Sequence, residues 1–109
     1  MKYHINKIGG NVVKDNDIYT VIDNTDLKNL IISSTLLYSH QKTTGHSHNE
    51  QEEIYLFVHG SGSIKIDNDI FPVEEGDLVL IPEGSFHQVF NKSHDFLYFV
   101  CFFSGKRTY

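Results

Sequence analysis

The chain has 109 residues, the length of one ordinary domain, and a second independent core would have too few residues to be stable. A hydrophobic share of 39%, with 8 Phe and 6 Tyr, is enough to close a core and excludes a disordered chain. The formal net charge is -5, and apart from Lys106-Arg107 the cations are scattered, so a polyanion meets a repulsive surface and nucleic acid is not an expected partner.

From the start of the chain, MKYHINKIGG lacks the continuous apolar stretch of a signal peptide. The longest apolar run, Phe96 to Phe103, is far short of a bilayer span, so the expectation is a soluble cytoplasmic protein without a membrane partner. Apolar residues then recur with period two, or in short runs broken by Gly, Asn, Asp and Pro every eight to twelve residues. That is the pattern of an all-β sandwich or barrel, with no long amphipathic helix. In chain order the spacing predicts strands over Ile18 to Ile22, Leu30 to Tyr38, Gly45 to Asn49, Glu53 to His59 and Ser63 to Asp67. It continues with Ile70 to Val73, Leu78 to Ile81, Phe86 to Asn91 and Phe96 to Phe103. Polar clusters such as Gly60-Ser61-Gly62, Asn68-Asp69 and Pro82-Glu83-Gly84-Ser85 separate them as turns. Cys101, the single cysteine, lies inside the last apolar run and reads as a small buried hydrophobe.

One group of residues carries chemistry. His46 and His48 are two apart in a predicted strand, so their imidazoles leave the same side of the pleat and reach one ion together. Glu53 opens the strand EIYLFVH on the face shared with Tyr55 and Phe57, where an unpaired carboxylate is expensive and a cation would justify it. Glu52 has the opposite parity and is the weaker choice. His87 follows a turn fixed by Pro82 and Gly84 that aims it back across the barrel. Three imidazoles and a carboxylate suit one divalent transition metal ion, Fe, Mn, Co, Ni, Cu or Zn, and leave coordination positions for water or substrate.

The stretch from His46-Ser-His48 through Glu53 to Gly60, together with Gly76, Pro82-Glu-Gly84, His87 and Asn91, resembles the paired motifs of the cupins. Motif one falls at about 45–60 and motif two at about 76–91 of a single domain, 1–109, and the resemblance runs from about Leu30 to Ser104. It implies a double-stranded β-helix, or jelly roll, with His46, His48, Glu53 and His87 around the metal. One departure is His40, which stands where the family pattern has a glycine. Both faces of the last strand are apolar, and small members of the family commonly form homodimers, so a second copy of the chain is expected over one of them.

Tyr38 and His40 share the parity of His46, which makes them candidates for acid, base or substrate contacts in the cavity. Tyr55, Phe57 and Gln88 are candidate pocket residues. The resemblance implies a metal-dependent enzyme on a small oxygen-rich substrate such as a sugar, sugar phosphate or oxo acid, and Thr44-Gly-His-Ser-His with Glu53-Ile-Tyr looks somewhat like the metal segment of cupin-type phosphoglucose isomerases. An Fe(II) dioxygenase and a non-catalytic small-molecule binding module are the alternatives.

Overall fold

The computed structural model describes residues 1–105, in nine strands joined by turns. They are β1 (Asn11–Asp15), β2 (Tyr19–Asn24), β3 (Leu30–Leu37), β4 (Glu53–His59), β5 (Ser61–Ile66), β6 (Asp69–Glu74), β7 (Leu78–Ile81), β8 (His87–Phe90) and β9 (Leu97–Ser104). The described residues contain no helix, so none is long and apolar enough to cross a membrane. Every strand pairing is antiparallel, in a six-stranded sheet ordered β1-β2-β3-β9-β4-β7 and a three-stranded sheet ordered β6-β5-β8. This is an all-β jelly roll.

Alternation decides which side chains meet between the sheets. Along β4, Glu53, Tyr55 and Phe57 are buried while Ile54 and His59 face solvent. On β9 the inward set is Leu97, Phe99, Cys101 and Phe103, paired across to Leu37, Thr35, Ser33 and Ile31 on β3. The smaller sheet contributes Ile64, Val73 and Val89, and the deepest side chains are Phe57, Phe99, Leu37, Ile64 and Leu97. Burying each such side chain stabilises by roughly 1.5–3 kcal/mol, so the core is anchored at its aromatic centre.

The outward face of the large sheet is covered unevenly. At one end the N-terminal segment crosses it, with the Tyr98 hydroxyl donating to the Ile5 carbonyl at 2.8 Å and Asn24 Nδ2 to the Ile8 carbonyl at 2.6 Å. At the other end Leu30, Ile54, Leu78 and Leu80 are exposed.

Two expectations need correction. The strand predicted over Gly45 to Asn49 is not one: the segment makes a single bridge, His46 opposite His87, because it is held along the edge of β8 by scattered contacts and not by a continuous ladder. Strand β1, absent from the sequence reading, is an edge strand that buries none of its five residues fully and so carries no amphipathic signal.

Candidate metal centre

The segment after β3 leaves the large sheet and runs along β8 as a strap. Lys42 bridges Phe90, Thr43 donates its N–H to the Val89 carbonyl at 2.9 Å, and the Thr43 hydroxyl accepts from Val89 N–H at 3.0 Å. His46 and His87 exchange both backbone bonds, at 3.1 and 2.8 Å, and Gly84 N–H donates to the His48 carbonyl at 2.6 Å. Gly45 is required in this strap, because a Cβ there would lie 2.1 Å from Cζ of Phe86. The strap therefore passes directly over an aromatic ring and delivers His46 and His48 to the mouth of β8.

Three ligand atoms converge where strap, β4 and β8 meet. The donor atoms of His48, Glu53 and His87 all lie within 4.8 Å of one another, and all three residues are buried. Glu53 Oε2 and His87 Nε2 are 2.9 Å apart. His46 stands beside this cluster, half-buried, with its ring 5.8 Å from that of His48 and 6.4 Å from that of His87. Glu52, its rival by parity, is exposed and points elsewhere.

The ring of His87 is oriented from two sides. Nδ1 lies 3.3 Å from the Ser85 carbonyl, which can only accept, so this contact favours a proton on Nδ1 and turns Nε2 toward Glu53. Tyr55 meets the same ring edge-on at 5.8 Å and stacks in turn on Phe99 at 5.3 Å. Nε2 and a carboxylate oxygen thus face each other at 2.9 Å in a buried site, an arrangement that needs a positive charge, a proton or a metal ion, between them. Ligand bonds of about 2.0–2.2 Å place neighbouring donors around one ion roughly 3 Å apart. The residues fit a divalent metal ion of the kind that mixed imidazole and carboxylate donors select.

A narrow cavity of about 30 Å³ opens beside His46 and His87, with space for only two or three water molecules. Tyr55, Ser33, Thr35, Thr43 and Thr44 contribute to its wall. So does Lys14 of β1, whose ammonium sits 5.7 Å from the centre of the Tyr19 ring. Burial is the main cause that lowers the His46 pKa from 6.5 to about 4, followed by the charge of Lys14 and then by His48 and His87, with Glu53 opposing. His46 is held neutral, the form that ligates metals.

Phe57 lies beneath the site in the core, in contact with Phe99 at 5.2 Å between ring centres. Gln88 faces the strap and donates to the Thr43 carbonyl at 2.8 Å. Tyr38 and His40 are not brought to the cavity: the Tyr38 hydroxyl bonds that of Thr20 on the outward side of β2, and His40 Nε2 lies 3.2 Å from His94 Nδ1 at the surface. Parity carried back from His46 fails here because His40 has φ of 61°, which turns the chain, and Tyr38 keeps the outward side that Leu36 has on β3. Sequence reasoning missed Lys14, Ser33, Thr35, Thr43 and Thr44. Ser33 and Thr35 alternate inward with Leu37, a signal present in the sequence, whereas nothing local to β1 marks Lys14.

Comparison with known proteins agrees with this architecture. The profile of the family described as "Cupin domain" matches residues 35–103. An uncharacterized protein of Methanocaldococcus jannaschii is 37% identical over 60 residues, which are 55% of this chain and 48% of that protein, so the match spans about half of the relative's length. Among solved structures, a predicted oxalate decarboxylase from Thermotoga maritima superposes with a TM-score of 0.79 at 16% identity, covering 95% of this chain and 98% of the other. A sugar phosphate isomerase from Silicibacter pomeroyi superposes with a TM-score of 0.75 at 22% identity, covering 83% and 61%. At these identities the likeness concerns the fold.

Proposed function

The chain belongs to the cupin domain family, and from that premise we propose that it is a metal-dependent enzyme acting on a small oxygen-rich molecule. One divalent transition metal ion would be held by His48, Glu53 and His87, with His46 as the fourth ligand. The observation that carries this reading is the 2.9 Å approach of His87 Nε2 to Glu53 Oε2, with the Nδ1 side of the ring committed to the Ser85 carbonyl. Two similar structures bear names that refer to a sugar phosphate and to oxalate, which supports a substrate of this general class.

When bound, such an ion supplies Lewis acidity toward a carbonyl or hydroxyl oxygen. The chain's own residues do the rest. Tyr55 and Phe99 keep His87 in one orientation and close the floor of the site to water. Ser33, Thr35, Thr43 and Thr44 give the wall a polar lining suited to substrate oxygens. A cavity of about 30 Å³ admits the end of a small oxo or hydroxy acid more readily than a whole sugar ring.

Elemental analysis of protein purified without added metal tests the reading, repeated on His48→Ala and His87→Ala. About one equivalent of a transition metal in the native protein, lost in both variants, is expected. Absence of metal from the native protein, combined with unchanged affinity of the variants for added Mn(II), Fe(II), Ni(II) and Zn(II), would refute it.

A further inference from the structure

We propose that Lys14 makes the cavity beside the metal centre an anion subsite that seats a carboxylate group of the substrate. The inference rests on the reading of this cavity as the substrate site and adds the charge class of the molecule it receives.

Strand β1 pairs Val12 with Ile22 and then Lys14 with Val21, so Val13 is an extra residue in the ladder. Without that bulge Val13 would oppose Val21 and share its inward face, and Lys14 would oppose Thr20 and face outward. The bulge exchanges them, placing the lysine in the cavity wall with Tyr19 and Val21. Bulges of this kind re-aim single side chains and are over-represented beside active sites.

What surrounds Lys14 suits an anion. Among the described lining residues Lys14 is the one Lys or Arg. A cation has been turned inward in a chain whose formal net charge is -5. Four hydroxyl residues, Ser33, Thr35, Thr43 and Thr44, share the wall and supply further donors. A charge-assisted bond from Lys14 to a carboxylate is stronger than one to a neutral oxygen, which gives the subsite a preference for charged ligands. With the metal ligands His46 and His87 lining the same small space, the geometry selects a compact molecule carrying a carboxylate next to a second oxygen function.

The test uses oxalate and its uncharged analogue oxamide as probes, titrated by NMR and calorimetry into metal-free and Zn(II)-loaded full-length protein. Lys14→Gln should weaken oxalate binding about tenfold or more in whichever forms bind it, and leave oxamide binding unaltered. Lys14→Arg, which keeps the charge, should retain most of it. Zn(II) affinity of Lys14→Gln should equal or exceed that of the wild type, which separates this subsite from the metal site. Unchanged oxalate binding in Lys14→Gln, an equal loss for oxamide, or no oxalate binding by the wild type in either form would overturn the proposal. Failure of the wild type to take up Zn(II) would count against the metal reading, and the metal-free titration would then decide on Lys14 alone.

Discussion

Glu53 and His87 belong to different sheets, yet their side chains meet at 2.9 Å with almost no exposure to solvent. Antiparallel register within each sheet leads to this meeting: Glu53 opens β4 opposite Phe103, and His87 opens β8 opposite Ile66. Whatever charge resides between them is shared by both halves of the barrel.

A first prediction concerns that carboxylate. Glu53→Gln keeps the shape and removes a buried charge, so the metal-free variant should be as stable as the metal-free wild type or more so. With metal the order should reverse. Saturation at one hundred times the dissociation constant adds about 2.7 kcal/mol to the wild type, a rise in melting temperature on the order of 10 °C for a domain of this size. The variant should show little of that rise. Parallel thermal melts with and without a chelator check the crossing.

The strap supplies a second. Gly45→Ala places a methyl group against the Phe86 ring, at 2.1 and 2.4 Å from two of its carbons. Overpacking of this kind costs about 1–3 kcal/mol. Because His46 and His48 travel with the strap, metal affinity should fall as well, and Phe86→Leu in the same chain should restore much of both. Metal titration of the single and double variants is the measurement.

How much of this was legible in the residues follows from where alternation holds. Glu53, Tyr55 and Phe57 could be assigned one face because β4 is regular over that stretch, and the turn at Pro82 to Ser85 was marked by residues that favour it. Tyr38 and His40 were misplaced because parity does not survive a left-handed residue, and Lys14 was invisible because a bulge inverts parity without any change of composition. Gly45 to Asn49 carries two histidines at strand spacing, but Gly, Ser and Asn favour irregular backbone, and the strap takes that form.

Asn91 leads to a third prediction. Its amide nitrogen reaches the carbonyls of Leu37, Tyr38 and Asp95 at 3.1, 3.1 and 2.9 Å, and its oxygen accepts from the Ser93 N–H and hydroxyl. It is 1% exposed, so truncation leaves buried carbonyls without donors. Asn91→Ala should cost about 3 kcal/mol or more. Urea unfolding with an unchanged slope and a lowered midpoint would bear this out.

A fourth prediction concerns the open end of the outer face. Leu78 and Leu80 on β7 lie opposite Leu56 and Ile54 on β4, and Leu80 is 69% exposed. Light scattering at micromolar concentration should give twice the mass of one chain, with a second copy covering these residues. Leu80→Glu should return the mass of one chain with an unaltered circular dichroism spectrum. A wild type that already runs as one chain would show that the face needs no cover.

The extra residue in β1 has an evolutionary consequence. The strand is an edge that buries almost nothing, so a slip of one position there disturbs little packing. Ironing out the irregularity between Val12 and Lys14 would replace an ammonium by an isopropyl group in the cavity wall without a single substitution. In a lineage of such barrels, a change of spacing at this edge would alter the charge of the cavity wall while the residues of the metal cluster, on other segments, stay as they are.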